Sequence, residues 1–299
     1  MKKFLKILIL FLVPLVILAV VPTVVEWQVF RRAVRKPEAT IGVIGDSHAA
    51  CGINPAFAPQ SANFAQRASQ PMVWRAKLGV ILDENPQIGT FMVELWTGVL
   101  TRDAEKDAKA RAHFVRNHIP ATALLDLYRT NEMGGLPDDN LGRNFIKGIL
   151  LPFFKRPFMG FSTSALQDNY NRLDRRLVDS AWYKKGAKEP ADAWGHKPRR
   201  SKTPVRAEIE DILSELQRRH IKIVLLTMPF WAHARNQLHT PADQQWFENE
   251  MTELCKKYNA KRLNLIDEFQ DLENWADDSH LNTVGTERCT KLLMEHLRK

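Results

Sequence analysis

A serine near the start of the sequence and a histidine with two acids near its end are the residues best suited to chemistry. Ser47 lies in Gly45-Asp46-Ser47-His48, and His280 lies in Asp277-Asp278-Ser279-His280-Leu281-Asn282. A serine hydroxyl is a poor nucleophile at neutral pH unless a base takes its proton. An imidazole serves as that base when a carboxylate fixes its tautomer. Asp277 has the spacing to hold His280; Asp278, two residues before it, is the competing choice. Gly-Asp-x-His also opens metallophosphoesterases, with Asp46 and His48 as ligands, but the later Gly-Asp-x-x-Asp and Gly-Asn-His of that chemistry do not occur. His48 is therefore expected to line the pocket, and no metal or organic cofactor is expected. Cys51, one helical turn after Ser47, reads as a buried packing thiol, because free cysteines are usually buried.

The elements that would position these residues follow from hydrophobic patterning. Residues 39–44 form an apolar run suited to a buried parallel strand and stopped by Gly45-Asp46. Further strands are predicted at 63–65, 88–95, 221–227 and 261–266. Helices are predicted at 73–83, 205–220, 243–258 and 284–297. Strands alternating with helices of this length indicate parallel βαβ units, hence an α/β fold of three layers. In such a sheet, ligands bind beyond the carboxyl ends of the strands, where both Ser47 and His280 would stand. Residues 100–201 break the alternation and read as a helical insertion (103–118, 120–132, 141–154, 164–182) within a domain spanning 39–299.

With the two motifs after the first and last strands, the sequence resembles the SGNH (GDSL) hydrolase superfamily over residues 39–98 and 205–298. The resemblance implies a flavodoxin-like α/β/α sandwich and esterase, lipase, deacetylase or O-acyltransferase activity. It implies Ser47 as nucleophile, His280 as base and Asp277 as its partner. The family's oxyanion donors are a glycine after the second strand and an asparagine in a Gly-x-Asn-Asp turn after the third. Here those regions read Asn63-Phe64-Ala65-Gln66-Arg67-Ala68-Ser69-Gln70 and Glu94-Leu95-Trp96-Thr97-Gly98. A backbone N–H of Ala68 or Ser69 can take the first role, and Trp96 and Thr97 occupy the second place. A catalytically degenerate relative, binding an envelope glycan or a membrane-bound acyltransferase, is the alternative to an enzyme. The layout is similar to that of the membrane-anchored SGNH proteins of bacterial envelopes, which would make an acylated envelope polysaccharide the substrate.

The loop after the fourth strand, Pro229-Phe230-Trp231-Ala232-His233-Ala234-Arg235, reaches the same sheet edge. Trp231 is expected either to stack on a sugar ring or to plug the core, with His233 and Arg235 placed for polar or anionic groups. In the insertion, Trp182 and Trp194 flank a basic stretch that reads as a carbohydrate surface or a solvated charged face.

At the N-terminus, residues 7–25 form an uncharged run preceded by Lys2, Lys3 and Lys6. At 1.5 Å per residue it spans about 28 Å, close to the thickness of a bilayer core. It lacks a small-x-small cleavage site, so it reads as an uncleaved signal anchor with residues 26–38 as linker. Arg31, Arg32, Arg35 and Lys36 compete with the N-terminal lysines for the cytoplasmic side. A large following domain is nevertheless expected to be exported, with retention at the cytoplasmic face as the alternative.

The 299 residues are 44% hydrophobic and 26% charged, which excludes a disordered or collagen-like chain. The three cysteines are too few for a disulfide scaffold. The net charge of +9 fits anionic headgroups or an acidic glycan beside the lipid bilayer. No nucleic-acid partner is expected, because no motif of that kind is present.

Overall fold

The computed structural model describes residues 27–67, 69–100 and 205–298, with positions 10, 13, 21, 24 and 25 before them. The apolar run at 7–25 and the insertion, with Trp182, Trp194 and the four helices expected there, lie almost wholly outside the described residues. Among the described residues, no helix is long and apolar enough to cross a membrane. The chain divides into two compact units, Met1–Val34 with Glu105–Thr163 and Arg35–Ala104 with Ser164–Lys299. In the first, residues 27–34 are helical, and the rings of Trp27 and Phe30 stack with centroids 6.3 Å apart.

The second unit is built on five parallel strands: β1 (Ile41–Ile44), β2 (Ser61–Asn63), β3 (Thr90–Glu94), β4 (Lys222–Thr227) and β5 (Lys261–Asn264). Their order is β2-β1-β3-β4-β5, and every pairing is parallel. This is the order of a doubly wound sheet with its switch point between β1 and β3. The central strands are apolar runs (IGVI, TFMVE, KIVLLT) because helices cover both of their faces. In the edge strand β5, Leu263 is buried, Arg262 half-buried, and Lys261 and Asn264 exposed.

The helices in this unit are α1 (Ser47–Gly52), α2 (Pro71–Glu84), α3 (Thr97–Leu100), α4 (Val205–Arg218), α5 (Ala232–Leu238), α6 (Pro241–Tyr258) and α7 (Thr283–Arg298). Helices α2 and α4 pack against each other, and α7 packs on α1. In α4 the buried positions Val205, Ile209, Ile212, Leu213 and Leu216 recur at helical spacing, while Arg206, Glu210 and Arg218 face outward in ion pairs. Helix α6 starts at a reciprocal cap, in which Thr240 and Asp243 satisfy each other's backbone N–H groups. The second strand lies at Ser61–Asn63, two residues earlier than its sequence pattern predicts, and the Phe64 and Gln66 N–H groups after it still donate to the Val43 and Gly45 carbonyls. The segment after β4 forms the short helix α5 where a loop was expected.

Lys77 on α2 is fully buried, and its ammonium donates to Gln66 Oε1 in the loop after β2. Burial pushes its pKa down to about 7. A folded-state pKa below the unfolded value means that the unfolded chain holds more protons between about pH 7 and 10.5, so stability should rise with pH over that window. Lys77→Met should therefore stabilise the protein by roughly 1–4 kcal/mol at pH 7, with the gain shrinking towards pH 10. Chemical denaturation at both pH values measures this, and a gain that does not depend on pH would contradict it.

Candidate active site

The site forms where the β1 and β3 carboxyl ends diverge. Ile44 ends β1, and the turn Gly45-Asp46 leads into α1, with Asp46 as N-cap and Ser47 as its first residue. The Asp46 carboxylate accepts from the His48 backbone N–H (3.0 Å), from His48 Nδ1 (2.9 Å) and, through Oδ2, from Trp96 Nε1 (2.8 Å). The Asp46 backbone N–H donates to Glu94 Oε2 at 2.9 Å. Asp46 and Glu94 are both buried, as is His48. A Cβ on Gly45 would stand 2.6 Å from Glu94 Cβ and 3.1 Å from Ala49 Cβ, so this position has room only for glycine.

His280 is brought to the same place by the loop between β5 and α7. Trp275 and Leu281 form an antiparallel bridge, and Ala276 N–H donates to the His280 carbonyl at 2.9 Å. Asn282 accepts from the backbone N–H groups of Val284 and Gly285, capping α7, while its amide donates to Glu273 and Trp275 carbonyls. Thr286 on α7 donates to the Cys51 carbonyl at 2.6 Å, tying that helix to α1. The His48 and His280 rings stack with centroids 5.6 Å apart, so the residue after Ser47 touches the second motif.

Asp277 Oδ1 holds His280 Nδ1 at 2.8 Å and also accepts from the backbone N–H groups of Ser279 and His280. Burial alone would raise the Asp277 pKa. The hydrogen bond and charge of His280, with the two N–H donors, outweigh it and hold the carboxyl well below the usual range. Asp278 is different: burial, then the Asp277 charge, push it up, and its Oδ1 accepts from the Ser279 hydroxyl at 3.3 Å. With Nδ1 committed to Asp277, His280 presents Nε2, which is buried and has no hydrogen-bond partner among the described residues.

The other residues singled out by sequence divide. Trp96 and Thr97 stand at the start of α3 beside Asp46, Trp96 by hydrogen bond and Thr97 as a buried first residue. Ser69 is buried, but its N–H goes to the Gln66 carbonyl (3.2 Å) in its own loop and its hydroxyl accepts from Trp74 (3.0 Å) on α2. Ala68 lies outside the described residues. From the loop after β4 it is Phe230, not Trp231, that meets the site, 5.2 Å from the His48 ring and 5.7 Å from Trp96. Trp231 packs against the core cluster and beside His233, and Arg235 pairs with Asp267 at 2.6 Å. Cys51 is fully buried, and burial raises its pKa, so it stays a thiol.

Three residues at this site carried no sequence signal: Glu94 at the end of β3, Phe230, and His239 at the end of α5. The His239 ring lies 5.7 Å from Trp96, and both of its nitrogens are buried without a hydrogen-bond partner among the described residues. A metal set is available geometrically, since one donor atom each from Asp46, His48 and Glu94 lies within 4.8 Å of the others. Their hydrogen bonds account for the grouping: Nδ1 is on Asp46, Oδ2 is on Trp96, and Glu94 Oε2 is on a backbone N–H.

No family model matches the sequence, and no curated protein does. Solved structures do align. One is a Streptococcus pneumonia protein provisionally described as a platelet activating factor: TM-score 0.45, 12% identity, covering 96% of this chain and 98% of that one. Another is a Bacteroides fragilis protein provisionally described as an acylhydrolase: TM-score 0.43, 7% identity, covering 89% of this chain and 92% of that one.

Burial pushes the His239 pKa down to about 4, with the nearby His48 adding to the effect against Asp243. Between about pH 6.5 and 4 the unfolded chain then binds a proton that the folded chain refuses, so stability falls as pH drops through that window. The loss amounts to roughly 3 kcal/mol. In His239→Phe that part of the acid destabilisation should vanish. Urea unfolding of both proteins at pH 7 and pH 4.5 tests it, and parallel losses would refute it.

Proposed function

We propose that this protein is a membrane-anchored SGNH-type esterase or O-acyltransferase acting on acyl esters of cell-envelope glycans. The observation that carries the reading is the Asp277–His280 pair at 2.8 Å, with a buried, uncommitted Nε2 beside the helix that Ser47 opens. A histidine held in this way supplies the base and its orienting carboxylate, and the reading adds that the Ser47 hydroxyl is brought to its Nε2 in the reaction. Ser47 Oγ attacks an ester carbonyl as its proton passes to His280 Nε2. The tetrahedral intermediate collapses and the leaving alkoxide takes that proton. Water or a sugar hydroxyl then repeats the sequence on the acyl-serine. His280 acts as the base in its neutral form.

The second reading is a binding-only relative that docks on an envelope glycan or a membrane-bound acyltransferase. The observation favouring it is Trp96, whose N–H is spent on Asp46 at the place where the resemblance calls for an oxyanion donor. In either reading, residues 7–25 anchor the chain in the cytoplasmic membrane and the folded domain faces outward, supported by the length of the uncharged run.

A fluorophosphonate probe should label wild-type protein in detergent at Ser47, located by peptide mass spectrometry. Ser47→Ala should abolish labelling. His280→Ala and Asp277→Ala should slow it by about 1,000–10,000-fold, and Asp278→Ala far less. A folded wild type that resists the probe favours the binding-only reading. For topology, alkaline phosphatase fused after Lys299 should be active in cells, and an inactive fusion with protease protection in spheroplasts would place the domain inside.

A further inference from the structure

The sheet separates charge along its strands. All five strands run parallel, so their first residues share one edge and the site lies beyond the other. The segment leading to His280 makes that far end acidic: residues 267–278 hold six Asp or Glu and no Lys or Arg. The amino edge is the reverse. A cavity of about 760 Å³ lies at the starts of β1, β3, β4 and β5, lined by His220, Lys222, Tyr258, Lys261 and Arg298 and, among the described residues, by no acid. Lys222, Lys261 and Arg298 are exposed. Lys261 Nζ donates once, to the His296 carbonyl at 2.9 Å, which leaves two of its three N–H groups for other acceptors. Lys257 nearby is spent on Glu210 at 2.9 Å, whereas Lys222 and Arg298 form no ion pair among the described residues.

The fold itself explains part of this charge. Cations are favoured at the carboxyl end of a helix, which accounts for Arg298 on α7 and for Lys256 and Lys257 on α6. Lys261 sits on the edge strand β5, where a charge deters pairing with another chain. Lys222 has neither reason, since it opens the internal strand β4. The chain also enters this unit at the same edge. The Lys36 N–H donates to Asn85 Oδ1 at 2.6 Å, and its carbonyl accepts from Gln87 at 2.8 Å, both in the segment before β3. The stretch that leads back to residues 7–25 therefore leaves from the cationic edge.

We propose that the amino edge of the sheet docks on anionic phospholipid headgroups, whose phosphate oxygens accept from Lys222, Lys261 and Arg298. This rests on the anchor reading, which supplies the bilayer, and not on the esterase chemistry. Its consequence is orientation. The six residues of β4 span about 20 Å, so docking by their amino end holds the site about that far from the headgroups. The acidic end, repelled by an anionic surface, then turns away from the bilayer. A site so held meets a polymer standing off the membrane and not the ester of a lipid within it.

The test reconstitutes the full chain in lipid nanodiscs of phosphatidylcholine, or of equal parts phosphatidylcholine and phosphatidylglycerol. Lysine acetylation by an uncharged succinimidyl ester is followed by peptide mass spectrometry, with Lys291, exposed midway along α7, as reference. Phosphatidylglycerol should slow Lys222 and Lys261 about fivefold relative to Lys291, the effect of one cation held at an anionic surface. Salt at about 1 M should abolish that protection. Lys222→Glu with Arg298→Glu should return Lys261 to its rate in neutral discs. If that double variant does not fold by circular dichroism, the wild-type rates in the two lipids decide. A third arm adds soluble polygalacturonate to the neutral discs. Equal rates in the two lipids, in a chain that co-purifies with both discs, overturn this inference alone. Protection by polygalacturonate as strong as that by phosphatidylglycerol reassigns the edge to an acidic glycan and also overturns it. A chain that co-purifies with neither disc overturns the anchor reading and this inference together.

Discussion

The Asp46 carboxylate is the point on which the site depends. It is almost wholly buried, where an unpaired carboxylate would be costly, and the chain surrounds it with N–H donors from its own turn, from His48 and from Trp96. Each donor is fixed in return. The backbone bond starts α1 and so sets where Ser47 stands. The Nδ1 bond orients His48, and the Trp96 bond pins the segment after β3 across the switch point. Glu94, holding the Asp46 N–H from β3, closes the loop of dependence. Charge-assisted bonds of this kind reinforce one another in a dry setting, and none of them stands well without the rest.

Sheet and helices were legible because burial leaves a periodic trace. Runs such as residues 39–44 and 221–227 announce strands covered on both faces, and the helices at 205–218 and 283–298 announce one apolar side each. The parallel order follows from the alternation of the two. Asp277 and His280 were legible for a different reason: both sit in one short loop, so their spacing reports their contact. Contacts between loops leave no such trace. Nothing in the sequence says that the Trp96 indole reaches Asp46, or that Glu94 stands under a backbone N–H 48 residues away in the chain. Phe230 and Trp231 show the finest limit. Adjacent aromatic residues leave a strand end in opposite directions, and only the path of the chain into α5 decides which ring meets His48.

Lys77 and His239 are bases whose pKa burial lowers. Lys77 supports the loop after β2 through Gln66, and the His239 ring packs edge-on against Trp96.

Gly45 carries an evolutionary consequence. An alanine there would stand 2.6 Å from both the Cβ and the Oε2 of Glu94, so shortening Glu94 to alanine would remove one clash and leave the other. Only a second glycine at position 94 would make room, and that exchange removes the carboxylate under the Asp46 N–H. Drift at position 45 cannot be repaired by a neighbouring substitution that keeps the turn. Loss of Gly45 is thus expected only where Glu94 is lost as well, whereas a glycine at 45 facing something other than glutamate at 94 would mark a lineage in which the turn is held by different means.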